Sequence, residues 1–435
     1  MKISISGIRG IYGHDFDLHQ VNRAARQFAT LIKSGKCVIA RDTRPSGRII
    51  AETVAAGLMA SGIHVYNLGI APTPAAFREA RRYGAGIVIT ASHNPLEWNG
   101  LKFIIGGRGL FESELAEMLK STSITSIDEN KFGNMFRISS RYLDEIAEIA
   151  KGGTNVKIGI DPGGGAGCGY SERLFKKLGL QYHSINGVRG VSSRGPDPTA
   201  DELKDLCSSV TSNKFDYGFA LDLDADRLVV VSGNGEKLNP DATLLLCVAR
   251  SIEIGIKKFV ISIDTSISVE KYVRQHKCRI SYSKVGEANV VSKMLEERAE
   301  AGGEGSSGGF IMPKFNMCRD GLLAAATIST LDKKIIDGCL KFASQFVQIR
   351  SKVAADSSLH NAVIEKLEDV FRRDASAIMT ADGVKAIIDE DSWVLVRPSN
   401  TEHAIRISVE SKASKAQSLF NHASQKVQMV YDQVR

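Results

Sequence analysis

The chain has 435 residues, 43% of them hydrophobic and 24% charged, with a formal net charge of +7. That length exceeds one ordinary core and predicts about three domains of a globular protein. The mild, dispersed charge shows no basic block and no aromatic-interleaved patch, which excludes a dedicated nucleic-acid binder and leaves a leaning toward anionic ligands. No apolar run approaches bilayer length, and the first ten residues lack a signal-peptide core, so no membrane association is expected. Seven scattered cysteines without a C-x-x-C pair argue against a disulfide framework or zinc site and for a reducing, cytoplasmic setting.

Taken in order, Ser6-Gly7-Ile8-Arg9-Gly10 is a glycine-flanked loop presenting an arginine. Apolar residues at Val21, Ala24, Ala25, Phe28, Leu31 and Ile32 recur at helical spacing from Asp17 to about Lys33, and Gly35 ends the element. Cys37–Ala40 reads as a strand, Ile49–Ala60 as a helix, Val65–Leu68 as a strand and Pro72-Thr73-Pro74 as a helix start. Gly86–Ile89, a β-branched apolar run, reads as a buried strand leading into Thr90–Pro95. This alternation predicts a mostly parallel sheet, whose ligands meet loops at the C-terminal ends of strands. Strand-then-Asp units recur at Val156–Asp161 and Phe259–Asp264, which suggests duplicated domains rather than a solenoid. The last stretch differs: a helix around Leu367–Phe371, strands at Gly383–Ile388, Ser392–Val396 and Ala404–Val409, and a closing helix form an α+β pattern. Linkers are expected near Gly152-Gly153, after Asp241 and around Ser351–Ser358.

Four loops between these elements carry chemistry. Thr90-Ala91-Ser92-His93-Asn94-Pro95 brings a hydroxyl, an imidazole and an amide together on a tight, exposed turn, since proline restricts the residue before it. Asp222-Leu223-Asp224-Ala225-Asp226-Arg227 places alternating carboxylates between two apolar strands, where they would repel one another without a cation. An EF-hand is excluded, because Gly233 stands where that loop needs its bidentate glutamate; Mg²⁺ with open positions for phosphate fits better. Gly302–Gly309 is a Gly/Ser run with a single carboxylate, Glu304, and Phe310-Ile311-Met312 after it favours a binding loop over a linker. Arg397-Pro398-Ser399-Asn400-Thr401-Glu402 offers an arginine fork, hydroxyls and turn amides, a phosphate cradle. The Gly-rich Pro162–Gly167 loop matches neither the dinucleotide nor the Walker pattern.

These loops occur in an order that resembles the α-D-phosphohexomutases: phosphoglucomutase, phosphomannomutase and phosphoglucosamine mutase. The four stretches span nearly the whole chain, and Ser6–Gly10, Asp42-Thr43-Arg44 and Asn99–Lys102 also fit. The resemblance implies an α/β fold of three related α/β domains with mixed sheets plus a smaller C-terminal α+β domain around a central cleft. The expected divisions are 1–150 (phosphoserine), 151–243 (metal), 244–352 (sugar) and 353–435 (phosphate).

It further implies that Ser92 carries a phosphoryl group, that Ser92, Asp222, Asp224 and Asp226 hold one Mg²⁺, and that Arg9, His93 and Lys102 line the phosphoserine with Arg227 nearby. Glu304 and Ser306 would read sugar hydroxyls, while Arg44, Arg397, Ser399, Asn400, Thr401 and Arg406 would bind substrate. The implied reaction is an isomerisation that moves phosphate between C6 and C1 of a hexose phosphate through a 1,6-bisphosphate, which also serves as activator. Lys102 and His93 both stand as acid/base candidates. Leu223 stands where the family's metal loop usually has glycine, Ser307-Gly308 where many members have Gly-His, and His403 where proline often follows the glutamate. The glycine pattern of the sugar loop resembles archaeal-type members, so phosphoglucosamine mutase is the first expectation and phosphomannomutase or phosphoglucomutase the alternative. A metal-dependent sugar phosphatase and a non-catalytic sugar-phosphate sensor are more distant alternatives. The expected partner is a small-molecule hexose phosphate, with the chain a monomer or homodimer.

Overall fold

The structure is a computed structural model that describes residues 1–121, 131–150, 156–399 and 403–435. The linker expected at Gly152-Gly153 lies outside the described residues. Strand order repeats three times. In the first sheet His64–Ile70, Lys36–Arg41, Ala85–Ile89 and Trp98–Ile105 lie side by side, the first three parallel and the last antiparallel. The second sheet runs Gln181–Ser184, Lys157–Asp161, Tyr217–Leu221, Leu228–Ser232 with the same orientations. The third runs Arg279–Ser283, Lys258–Ser262, Ala301–Glu304, Gly309–Ile311. Each repeat closes with a hairpin-like return after the third strand, and the first sheet adds edge strands at both sides.

Local chemistry explains the elements. Asp17 caps the helix Leu18–Ala29 in a reciprocal capping box with Gln20, and Val21, Ala24, Ala25 and Phe28 form its buried stripe. Pro74 sits in the first turn of Thr73–Tyr83, where its missing N–H costs nothing. A single apolar core runs from Ala75 and Tyr142 through Phe219 and Leu228 to Phe259 and Leu331, so the three α/β units are fused rather than strung together. No helix among the described residues is long and apolar enough to cross a membrane.

The C-terminal unit is a five-stranded antiparallel sheet, Phe346–Ala354, Ala404–Lys412, Ser392–Pro398, Val384–Asp389, Ala377–Met379, packed on helices His360–Arg372 and Ala413–Val434. Two expected linkers are corrected. Residues 351–354 complete a strand paired along its length with Ala404–Lys412, so the division expected at 352/353 falls inside it. No linker follows Asp241, which opens the helix Asp241–Glu253; its apolar face is too well buried to leave a joint there.

Where this unit meets the third repeat, Ile263, Ile267, Trp393 and Leu395 form a small core around two buried charges. Glu410 accepts from Ser266 Oγ at 2.5 Å and from the amide of Ile267 at 2.7 Å. Lys385 donates to the Ile263 carbonyl at 2.7 Å and lies 4.4 Å from the Trp393 ring centroid. Burial, then the neighbouring Asp241, pushes the Glu410 carboxyl up from its ordinary 4.5 to about 7. Its contribution to docking is therefore complete below the ordinary value and is lost as pH rises toward 7. Glu410→Gln has no such titration, so its melting temperature relative to the parent should climb between mildly acidic and mildly alkaline pH. A flat difference across that window would mean that the carboxylate is ionised in the seam throughout.

Candidate active site

The strand Ala85–Ile89 delivers Ser92 in a left-handed backbone conformation, φ 53°, at the turn that follows. The turn is not the exposed loop its polarity suggests: Ser92 is fully buried. Its amide donates to Thr90 Oγ1 at 2.8 Å, and Thr90 Oγ1 donates to Asp42 Oδ2 at 2.6 Å. Arg44 closes the arrangement. Its Nε donates to Asp42 Oδ2 at 3.0 Å, its Nη2 to the carbonyls of Ser92 at 2.6 Å and Asn94 at 2.7 Å, and its Nη1 to those of Trp98 at 2.8 Å and Pro95. Arg44 is 1% exposed. The expectation that Arg44 binds substrate is thus corrected: its donors are spent on the turn, and it holds the serine's backbone instead.

Between the strands Tyr217–Leu221 and Leu228–Ser232, the loop of the second repeat turns Asp222, Asp224 and Asp226 inward, all fully buried, with one oxygen of each within 4.8 Å of the others. Ala225, φ 58°, supplies the loop's left-handed residue; Leu223 does not, so replacing glycine there strains nothing. Ser92 Oγ donates to Asp222 Oδ2 at 3.1 Å. Asp222 Oδ1 accepts from the amides of Asp226 at 3.0 Å and Arg227 at 3.1 Å. Asp224 Oδ2 accepts from Thr73 Oγ1 at 2.6 Å and Lys102 Nζ at 2.8 Å, and Asp226 Oδ2 from Lys102 Nζ at 2.8 Å and Arg319 Nη2 at 3.0 Å. Asp224 Oδ1 and Asp226 Oδ1 are buried with no hydrogen-bond partner among the described residues. Two orphaned carboxylate oxygens beside a hydroxyl are the donor set of a hard divalent cation, so these residues fit one.

Electrostatics follow from burial and sign. Burial, then Asp226 and Asp224, raises the Asp222 carboxyl well above its ordinary range. Burial opposes ionisation of Asp226 too, yet Arg319 and Lys102 together hold it below that range. The same two aspartates hold Lys102 protonated against its own desolvation. Burial, then Arg227, lowers His93 to about 3, leaving a neutral imidazole whose Nδ1 accepts from Arg227 Nη2 at 2.8 Å.

Above this floor opens a cavity of about 810 Å³ lined by Arg9, His93, Lys102, Arg227, Glu304, Arg319, Arg397 and Ser399, among others. Arg9 Nη1 donates to Asn94 Oδ1 at 3.0 Å, and the Ser399 hydroxyl is buried with no partner among the described residues. Asn400 and Thr401 lie outside the described residues, and Arg406 is half-buried on the strand Ala404–Lys412 without lining the cavity. Ser306 does not line it either. The single helical turn Gly305–Ser307 points Ser306 into a separate depression with Gln348 and Arg350, and Ser307 inward. Gly302–Gly309 is strand and turn rather than linker. At Gly309, a Cβ would lie 2.3 Å from Arg319 Cδ, so glycine is what lets that arginine in.

Arg319 was not among the residues singled out from the sequence. It donates to Glu304 Oε2 at 3.0 Å and to Asp226 Oδ2 at 3.0 Å, tying Glu304 to the convergent aspartates, with Glu287 at 3.3 Å. A charged Arg-Asp pair directly before the helix Gly321–Ser329 was the available signal. Arg319→Lys keeps the charge but loses the fork, and is expected to lower kcat/KM by roughly 10–100-fold. Steady-state kinetics check this; an unchanged kcat/KM would make the bridge decorative.

Four profiles of one family match the chain in succession: phosphoglucomutase/phosphomannomutase alpha/beta/alpha domain I at residues 1–130, domain II at 140–235, domain III at 239–335 and the C-terminal domain at 349–419. A probable phosphoglucosamine mutase of Methanobrevibacter smithii is 32% identical over 95% of each chain. A phosphoglucosamine/phosphogalactosamine mutase of Sulfurisphaera tokodaii is 31% identical over 93% of this chain and 94% of its own. In fold, the crystal structure of a phosphoglucomutase/phosphomannomutase family protein from Burkholderia thailandensis superposes with a TM-score of 0.85 at 24% identity, covering 100% of this chain and 98% of the other.

Proposed function

The chain belongs to the phosphoglucomutase/phosphomannomutase family, and from that premise we propose that it is a Mg²⁺-dependent phosphohexomutase acting through phosphoserine at Ser92, with glucosamine phosphate as its preferred substrate. The observation that carries the proposal is Ser92 Oγ 3.1 Å from one of three buried, convergent carboxylates at the floor of a cationic cavity. The sugar preference rests on the names of the relatives; mannose and glucose phosphates are the alternatives.

In the proposed reaction the phosphoryl group on Ser92 passes to the free hydroxyl of a hexose monophosphate. The Oγ–P bond breaks, a bond from the sugar oxygen to phosphorus forms, and the net proton lost by the sugar hydroxyl is gained by Ser92 Oγ. The bisphosphate then turns over in the cavity and returns its other phosphoryl group to Ser92. A Mg²⁺ held by Asp222, Asp224 and Asp226 would supply charge neutralisation at the phosphoryl oxygens. Arg9 and Arg227 add fixed positive charge at the same end, and Arg397 with Ser399 grips the phosphate that is not reacting. His93 spends Nδ1 as an acceptor for Arg227, so its proton resides on Nε2 and it acts as a hydrogen-bond donor. That leaves Lys102, which is held protonated by Asp224 and Asp226, to give a proton to the departing Ser92 Oγ and to be recharged by the proton the sugar hydroxyl loses. Glu304, with Oε1 accepting from the Gly286 amide at 2.7 Å and Oε2 from Arg319, is fixed to read sugar hydroxyls.

Peptide mass spectrometry before and after incubation with glucose 1,6-bisphosphate and Mg²⁺ tests the covalent step. One phosphate confined to Ser92, and absent from Ser92→Ala, is expected. No modification under these conditions would sink the phosphoserine mechanism, and release of free phosphate instead of isomer would make the protein a phosphatase. Comparing kcat/KM for glucosamine, mannose and glucose 6-phosphates tests the sugar separately.

A further inference from the structure

We propose a second anion site, for a small ligand with two or more negative charges on phosphate-like groups, in a cavity between the first and second repeats. This cavity of about 360 Å³ is separate from the catalytic one and shares none of its lining residues. It lies at the C-terminal ends of two adjacent parallel strands, His64–Ile70 and Met135–Arg137, the edge of an open α/β sheet where ligands meet the protein.

Arg137, Arg173 and Arg189 come to it from three different segments: a strand end, the helix Tyr170–Lys177 and the loop after Gln181–Ser184. No carboxylate lines the cavity, and among the described residues none lies within ion-pair distance of these three. The acids around it are committed elsewhere. Glu79 takes Arg82 at 3.0 Å and Ser140 Oγ at 2.6 Å, Glu145 takes Arg78 and Arg82, and Glu172 caps its own helix and holds Ser184 Oγ at 2.8 Å.

Arg173 is preset for a ligand. Its Nε donates to the Gly169 carbonyl at 2.8 Å and its guanidinium lies 4.6 Å from the Tyr170 ring centroid, which fixes the plane while no carboxylate among the described residues pairs with it. Three guanidiniums gathered on one concavity repel one another; an oxyanion with matching forks removes that repulsion and gains charge-assisted hydrogen bonds. A ligand seated there would span the two repeats whose loops meet at Ser92 and Asp222.

The test uses inorganic pyrophosphate as the probe and phenylglyoxal modification of the full-length protein, mapped by peptide mass spectrometry at matched ionic strength. Pyrophosphate is expected to slow modification of Arg137, Arg173 and Arg189 several-fold, even with the catalytic cavity filled by glucose 1,6-bisphosphate. In Arg173→Gln/Arg189→Gln the protection of Arg137 should vanish while basal mutase turnover persists. Unaltered rates at these three, with Arg9 and Arg397 protected, would show a single anion site and overturn the proposal. Protection of Arg137 that survives the double substitution would also overturn it, as general charge screening.

Discussion

Arg44→Met is expected to lose about 3–5 kcal/mol of stability, the range for breaking a buried ion pair by removing one partner. It should also cut turnover far below that of the parent. Methionine approximates the length of the arginine stem, so the loss is not one of volume. What disappears is the partner of Asp42, whose carboxylate is fully buried, and the donors to four carbonyls of the serine turn. Burial already pushes the Asp42 carboxyl up despite Arg44, and without the guanidinium it would have to take up a proton or draw in water. Ser92 then loses the restraint on a backbone conformation that a non-glycine residue adopts only at a cost. Chemical denaturation measures the stability, and kcat at saturating substrate measures the rest. A stable, fully active Arg44→Met would mean that the turn is held by Thr90 and the strand alone.

Stripping divalent cations with a chelator is expected to lower turnover by roughly 10³-fold or more, since positive charge at the phosphoryl oxygens is the main source of catalysis in such transfers. It should also lower the melting temperature. A bound ion at a hundredfold excess over its Kd stabilises by about 2.7 kcal/mol. Lys102 and Arg319 already sit on Asp224 and Asp226 and neutralise part of their charge. Neither cation reaches the other two oxygens, Asp224 Oδ1 and Asp226 Oδ1. Asp224→Asn should therefore abolish the Mg²⁺-dependent rise in melting temperature. If chelation changes neither rate nor melting, the built-in cations suffice and the metal assignment fails.

Much of this architecture was legible from residue order. The alternation of β-branched runs with helical stripes and the recurring strand-then-Asp unit anticipated related repeats and a different last stretch. The chemistry-bearing loops were legible too, because each follows or joins strands, one loop in each of the four sheets. Arg44 was misread because its burial depends on strand order: Arg41 pairs with Ile89, which puts Asp42 and Arg44 under the serine turn. Nothing local to residues 41–47 states that neighbour. Ser306 and Ser307 differ by one step in a tight helical turn, a rotation that sequence spacing does not fix. Arg319 was missed because its partners, Glu304 and Asp226, are brought to it only by tertiary packing.

The catalytic cavity draws its positive wall from both ends of the chain, Arg9 at one and Arg397 at the other. Synthesis runs from the first of these to the last. A nascent chain that has emerged as far as Glu304 already owns the serine and all three aspartates, but lacks Arg397 and Ser399, the pair proposed to grip the distal phosphate. On the proposed reading, prematurely terminated products are expected to be mute: they have a phosphoryl acceptor without the hand that would present a sugar to it.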